Sequence, residues 1–437
     1  MTKQGQSAAS LSDINLTAGR VMLVLLVLVA TTIVAAPAAQ AQSFTVLHSF
    51  TGGLDGANPG VGLTMDGGDH LYGTAALGGA TGSCSFPDGC GTAFRMTHAG
   101  SGWTLAPIYS FTSNPSSRVT IGPDGTLYGS NYESLYNLRP PATPPFSVLT
   151  SWTETVIYQF SFNDGNYPIG DLVFDREGNL YGSNYDGGVV NTCSGGLGCG
   201  TVYELTLLQG VWTLARLYVL TGQSDGTDPM SGVLLDQSGN VYVASSQGYY
   251  DNGAQWGALF ELTPSGSGWT ETTLHDFQDG TGIIPVGGLI SDSAGNMYGT
   301  TVATTGGGGG GTIFKLSSLG SGRIFDTLYT LSGGGSGRTG PEGKLLLDAS
   351  GNLYGTTYAE GAYEKGSVFT LTPGNGGWTY TSLHDFTGGS DGANPLDGLV
   401  MDSSGNLYGT TYAGGNTGSR CDAGFNYQCG VVFEIAP

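Results

Sequence analysis

A chain of 437 residues with 13 basic against 34 acidic side chains carries a formal charge of −21, and a surface of that sign repels phosphate backbones and anionic lipid. Nucleic acid and acidic membranes are thereby excluded as partners, while cations and neutral polar ligands are not. Glycine supplies 78 residues without a collagen period and aromatic residues hold at 11%, which excludes a fibrous or disordered chain and leaves a turn-rich globular one.

Taken from the start, Lys3 and Arg20 precede an apolar run over residues 21–36, followed by Pro37 and the small-residue pattern Ala39-Gln40-Ala41. This reads as a secretory signal peptide over residues 1–41 with cleavage after Ala41. A membrane anchor is the alternative, for which the run is short. The expected mature chain, residues 42–437, is a single domain exported to the periplasm or outside the cell, with no membrane span.

The next piece, FTVLHSF at 44–50, matches segments that recur much later, such as TETTLHDF at 270–277 and TYTSLHDF at 379–386. Between these lies a repeat whose core in its sixth copy is DASGNLYGTTY, residues 348–358. Its central tyrosines are Tyr72, Tyr128, Tyr181, Tyr242, Tyr298, Tyr354 and Tyr408, spaced by 53 to 61 residues. Asp348 opens a turn and Gly351 supplies the positive φ that closes a three-residue hairpin loop. Four strand-like runs surround each core, in the sixth copy GKLLLD (343–348), NLYGTT (352–357), GSVFTLT (366–372) and GWTYTSLHDF (377–386), with turn signals between them and no helical period anywhere.

The mature chain therefore starts with a spare fourth strand, and its seventh copy stops after a third, VVFEI at 431–435. The reading is all-β, a seven-bladed β-propeller of four-stranded blades, its ring closed by residues 44–50 pairing onto the last blade. Blades one to six occupy 60–111, 112–160, 161–220, 221–277, 278–331 and 332–386, and blade seven 387–435 plus 44–50. An open β-solenoid is the alternative; it gains nothing from exchanging a strand between termini.

Six cysteines form three local pairs, Cys84 with Cys90, Cys193 with Cys199 and Cys421 with Cys429, each ending just before the glycine that starts a third strand. In an exported chain these are expected disulfides in equivalent loops of blades one, three and seven. Zinc is the weaker reading, because no CxxC is present and no histidines cluster nearby.

Strand order places the loop between second and third strands on the same face as the link from blade to blade. The links carry Asp55, Asn58, Asp164, Asn166, Asp225, Asp228, Asp279, Asp391 and Asn394, which either cap their own turns or form a ring of carboxylates for calcium or sugar hydroxyls. The loop at 245–256 in blade four, SSQGYYDNGAQW, offers Tyr249, Tyr250, Asp251, Asn252, Gln255 and Trp256 for stacking on a sugar, or folds on itself as a plug. Blade seven has Asp422, Phe425, Asn426 and Tyr427 in its cysteine loop. His48, His275 and His384 recur at one outer-strand position and none is placed for a Ser-His-Asp arrangement, while a carboxylate pair of glycosidase type stays open.

The pattern resembles the GloVer (Gloeo/Verruco) tandem repeat of exported bacterial proteins, with a GNLYGTT core, GTVF-like and GWT-like strands and an FxGGxDGxxP link. The likeness runs from about residue 44 to 435. It is sharpest at DSSGNLYGTTYAGG (402–415) and FTGGSDGANP (386–395), and weakest in blade two. The resemblance implies a propeller and export and supplies no activity. The expected function is a non-catalytic, monomeric propeller binding a polar ligand, a glycan or a cell-surface protein, through that face without an obligatory cofactor, calcium being the one candidate. A secreted carbohydrate-active enzyme and a structural or adhesive module are the alternatives.

Overall fold

Asp348 opens its hairpin in the expected way: its N–H bonds to the Asn352 carbonyl at 3.0 Å and the Gly351 N–H returns to the Asp348 carbonyl at 3.1 Å, with Gly351 at φ 86°. A turn closed by a left-handed glycine matches the twist of an antiparallel pair. The side chain does more. Asp348 Oδ1 accepts from the backbone N–H groups of Ser350 and Asn352, and Oδ2 from Asn352 Nδ2 and the Tyr354 hydroxyl, at 2.8 to 3.2 Å. The core tyrosine is thus a tether for the turn behind it, and Tyr242, Tyr298 and Tyr408 do the same to Asp236, Asp292 and Asp402. Burial pulls the Asp292, Asp348 and Asp402 carboxyls upward, yet these hydrogen bonds hold all three below the ordinary aspartate value.

The computed structural model describes residues 42–80, 89–100, 102–141, 152–188, 193, 197–250, 253–277, 280–304, 310–319, 322–333, 339–415, 421 and 429–437. The expected signal peptide, residues 1–41, lies outside them, and no helix among them is long and apolar enough to cross a membrane. Residues Phe44–Ala436 form one compact unit. The strands join as seven four-stranded antiparallel sheets arranged in a ring, plus one two-stranded hairpin. Blade one is Leu63–Met65, Leu71–Ala75, Thr92–Ala99 and Gly102–Ser110 in that order outward. The innermost strands are only two or three residues long and the outermost seven to nine.

Blade seven confirms the closure. Its sheet runs Val400–Met401, Leu407–Thr411, Val431–Ala436 and then Ser43–Ser49, and the Phe50 N–H bonds the Gly430 carbonyl at 3.1 Å. The core confirms it independently. It divides into seven clusters, each shared by two successive blades, and one of them sets Phe50 and Tyr408 of blade seven against Leu63, Leu71 and Phe94 of blade one.

Two sequence motifs explain the packing, one within a blade and one between successive blades. The glycine of the LYG triplet is a close approach, because a Cβ on Gly73 would stand 2.5 Å from Phe94 Cζ. The tip of the third-strand ring fills that gap. The tryptophan near the start of the fourth strand, in GWT in blade one and VWT in blade three, packs edge-on against the preceding blade's core tyrosine, Trp103 on Tyr408 at 5.4 Å and Trp212 on Tyr128 at 6.0 Å. In blade five Arg323 stands in that tryptophan's place, with its guanidinium 5.1 Å from the Tyr242 ring centre and Nη2 donating to the Tyr242 hydroxyl at 2.9 Å.

Candidate functional site

Links and second-to-third loops meet on one face, called the upper face from here on. Isolated bridges pair them blade by blade: Ala57 with Leu77, Asn166 with Asp186, Thr227 with Gln247, Ile283 with Ala303 and Ala393 with Ala413. The residue before each link proline also reaches the blade behind it. The N–H groups of Asn58, Asp228 and Asn394 bond the carbonyls of Cys429, Cys199 and Lys365 at 2.7 to 3.1 Å. The disulfides Cys193–Cys199 and Cys421–Cys429, with Cα separations of 5.4 and 5.2 Å, therefore abut the links; a Cβ on link residue Gly222 would come 2.7 Å from Cys193 Sγ. Cys90 is disulfide-bonded as well, and Cys84 lies outside the described residues.

The link carboxylates point into their own turns. Asp55 accepts from the Thr51 N–H at 2.9 Å, the Thr51 hydroxyl and His48 Nε2 at 3.0 Å. Asp391 repeats the set with Thr387 and His384. Asp225, 1% exposed, accepts from the Thr221 N–H and hydroxyl, the Gln223 N–H and the Tyr218 hydroxyl, and Asp164 from Ser161 and Tyr158. Asn58 and Asn394 donate to the carbonyls of Tyr412 and Tyr358 at 2.8 and 3.0 Å. Among the described residues no group of three or more His, Cys, Asp or Glu side chains is arranged to hold a metal ion. Asp279, Asp251, Asn252, Asp422, Phe425, Asn426 and Tyr427 lie outside the described residues. Seven residues after His275, where His48 and His384 find an aspartate, stands Gly282. Burial accordingly pushes His275 down to about 4, its Nε2 has no partner among the described residues, and its ring stacks on Phe325 at 3.7 Å.

The blade-four loop folds partly on itself, Gly248–Tyr250 pairing with Gly253–Gln255 as a separate hairpin that carries Tyr249 and Tyr250. Trp256 follows it and is 39% exposed.

Asp228 is the aspartate that sits in an asparagine's place. Its counterparts Asn58 and Asn394 donate to a carbonyl there, which an ionised carboxylate cannot do. Burial above all, then the neighbouring Asp186 carboxylate, push Asp228 up to about 6, against opposing hydrogen bonds from Thr227 and Tyr185. A carboxyl raised in the folded state costs stability as pH climbs from its unfolded value to its folded one, so the penalty is absent below about pH 4 and complete above about pH 6. We expect Asp228→Asn to raise the unfolding free energy at pH 7 by roughly 1–2 kcal/mol, read from denaturant unfolding, and to leave it unchanged at pH 3.5. An equal gain at both values contradicts the assignment.

Two features of this face were not singled out from the sequence. Blade two joins its second and third strands, Leu127–Ser130 and Ser134–Arg139, through only residues 131–133. On this face Tyr132 and Tyr167 stand 47% and 39% exposed, their rings edge to face at 5.5 Å. The signal was the shortness of this loop. The second is a cavity of about 250 Å³ on the ring axis, entered from the upper face and lined by the residues between each link proline and the first strand. There Arg118 Nη2 donates to Asp397 Oδ1 at 2.6 Å, Arg118 Nε lies 3.8 Å from Asp171 Oδ1, and Lys344 Nζ 4.0 Å from Asp171 Oδ2. The pairs tie blades two, three, six and seven across the axis. A larger recess of about 800 Å³ opens on the opposite face among the turns of blades three, four and five, where Asp236 and Asp292 are occupied by their own turns.

Comparison with known proteins gives three kinds of result. The family model described as the Gloeobacter/Verrucomicrobia repeat matches residues 89–303 and 254–437. No curated protein matches. Among solved structures, the extracellular domain of a protein described as a one-component system of B. thetaiotaomicron is 11% identical over 90% of this chain, with a TM-score of 0.51. The chain spans 40% of that protein's length. A protein of unknown function from Dyadobacter fermentans is 11% identical over 91% of this chain and 99% of its own, with a TM-score of 0.45. PorZ, a surface component of the type-IX secretion system of Porphyromonas gingivalis, is 14% identical over 82% and 47%, with a TM-score of 0.45. At these identities the likeness is one of fold.

Proposed function

The chain belongs to the Gloeobacter/Verrucomicrobia repeat family, and from that premise we propose that it is an exported, non-catalytic propeller that binds a polar ligand, a glycan of a cell surface, through its upper face. The observation that carries this reading is the exposed, contacting pair Tyr132 and Tyr167 on that face. Flat aromatic faces beside backbone amides suit a sugar ring, whose C–H face is apolar and whose edge is polar. Disulfides fit an oxidising compartment, and the net charge of −21 favours a neutral ligand over an anionic one.

A glycan array probed with residues 42–437, in calcium and in chelator, with reducing-sugar release followed in parallel, tests the proposal. We expect binding without release in both conditions, and Tyr132→Ala with Tyr167→Ala to weaken it by about tenfold or more. Sugar release that disappears on Asp→Asn changes in the links overturns it in favour of an enzyme.

A further inference from the structure

The upper face carries an inference that rests on the glycan reading and deepens it, because it bears on which kind of sugar is bound. Two aspartates there depart from the repeat. The loop place that bridges to a link is Leu77, Gln247, Ala303 and Ala413 in blades one, four, five and seven, and Asp186 in blade three. The place before the link proline is asparagine in blades one, two and seven, where Asn58, Asn114 and Asn394 donate to a loop carbonyl. In blade four it is Asp228. Both exceptions fall in one seam, since the Asp228 N–H bonds the Cys199 carbonyl of blade three at 3.1 Å.

Among the described residues neither carboxylate has a cation for a partner. Asp186 is 6% exposed, and no described group donates a hydrogen bond to its carboxylate, although neither oxygen is sealed from solvent. Asp228 accepts from Tyr185 and Thr227 and lies within reach of the Asp186 charge; burial raises both carboxyls above the ordinary aspartate value. Asparagine at position 228 would match the other blades and avoid that cost, so the carboxylate is held against stability, as groups serving a ligand are. The exposed tyrosines adjoin this pair. Asp186 and Asn166 exchange backbone hydrogen bonds at 2.9 and 3.1 Å, which sets their side chains on one side of the bridge. The next residue, Tyr167, accepts from the Tyr185 N–H at 3.0 Å and donates its own N–H to the Tyr132 carbonyl at 3.2 Å.

We propose that this part of the face recognises a glycan with free amino groups, a chain of 2-amino-2-deoxyhexose units in which one ammonium donates to Asp186 and Asp228 while a neighbouring unit lies on Tyr132 and Tyr167. An ammonium brings three donors and a positive charge, and those are what the two carboxylates lack. A hydroxyl in its place leaves the charge unanswered. An acetamide is neutral and bulkier, and leaves it unanswered too. The formal charge of −21 draws a cationic sugar toward the protein as a whole, but only the aspartate pair distinguishes it from a neutral sugar of the same backbone.

Isothermal titration of residues 42–437, in chelator to keep divalent cations off the pair, compares β-1,4-linked tetramers of glucosamine, of N-acetylglucosamine and of glucose, with tetralysine as a cation that carries no sugar. The glucosamine tetramer is expected to bind and the other three to bind about tenfold or more weakly. Asp186→Asn and Asp228→Asn should each weaken the glucosamine tetramer by a similar factor while the unfolding midpoint holds or rises, which separates lost recognition from lost folding. Equal binding of the acetylated or the glucose tetramer overturns the role of the amino group and leaves the glycan reading standing. Equal binding of tetralysine, or glucosamine binding that survives both variants, reduces the effect to net charge and overturns the proposal. So does the absence of binding by all three sugars, in which case the glycan array decides the wider reading by itself.

Discussion

Removing residues 44–50 is expected to cost about 5 kcal/mol or more, a large share of the 5–15 kcal/mol that holds a typical domain together. The segment is the fourth strand of blade seven, paired onto Val431–Ala436. It brings Phe50, fully buried, into the blade-one core. It also brings Phe44, which stacks on His384 at 3.7 Å and lies 5.9 and 5.7 Å from Phe386 and Phe433. Loss of one buried phenylalanine alone costs about 3–5 kcal/mol, and the exposed edge left on Val431–Ala436 invites pairing with another chain. Denaturant unfolding of chains starting at Gln42 and at Thr51 measures the effect. A shortened chain that keeps its midpoint would mean that the ring is shut elsewhere.

The second large effect is expected at the axis. Asp397→Ala leaves the Arg118 guanidinium largely buried and without its hydrogen-bonded carboxylate, Asp171 standing 3.8 Å away, and stranding one partner of a buried pair costs about 3–5 kcal/mol. Replacing both, Asp397→Leu with Arg118→Met, removes the two charges together and should bring the loss to within about 1 kcal/mol of the parent. Gly62 belongs to the same device. It lies at φ 76°, and any side chain there meets the Asp397 carboxylate, so blade one must carry glycine for blades seven and two to join across it. Thermal or urea unfolding of the three chains checks this ordering. If the double variant is no better than Asp397→Ala, the bridge does not act as a pair.

Fold and face were legible because the repeat states them more than once. The Asp-x-x-Gly turn, the LYG glycine under a third-strand ring and the GWT tryptophan on the neighbouring tyrosine each recur with fixed spacing, and the spare strand at 44–50 matches the one absent after Ile435. The chain direction this implies was enough to put links and cysteine loops on one side. The link aspartates were legible as residues but open between two roles. Asp55 and Asp391 reveal theirs only in contact, where histidine and threonine fill the carboxylate oxygens. The axial charges were hidden for another reason: Arg118 and Asp397 are 279 residues apart, and no local pattern couples them. They could have been found by asking, at each place in the repeat, which blades depart from glycine. Arg323 in place of a GWT tryptophan is the same kind of signal.

Native-state hydrogen exchange on residues 42–437 tests the closed ring most directly, because every statement about the upper face depends on the two chain ends sharing a blade. The amides of Leu47 and Phe50 are predicted to exchange only with global unfolding, at the same free energy as Val432 and Phe433. Exchange of the 44–50 segment on its own, at a free energy near that of a fraying terminus while residues 431–435 stay protected, would contradict the account.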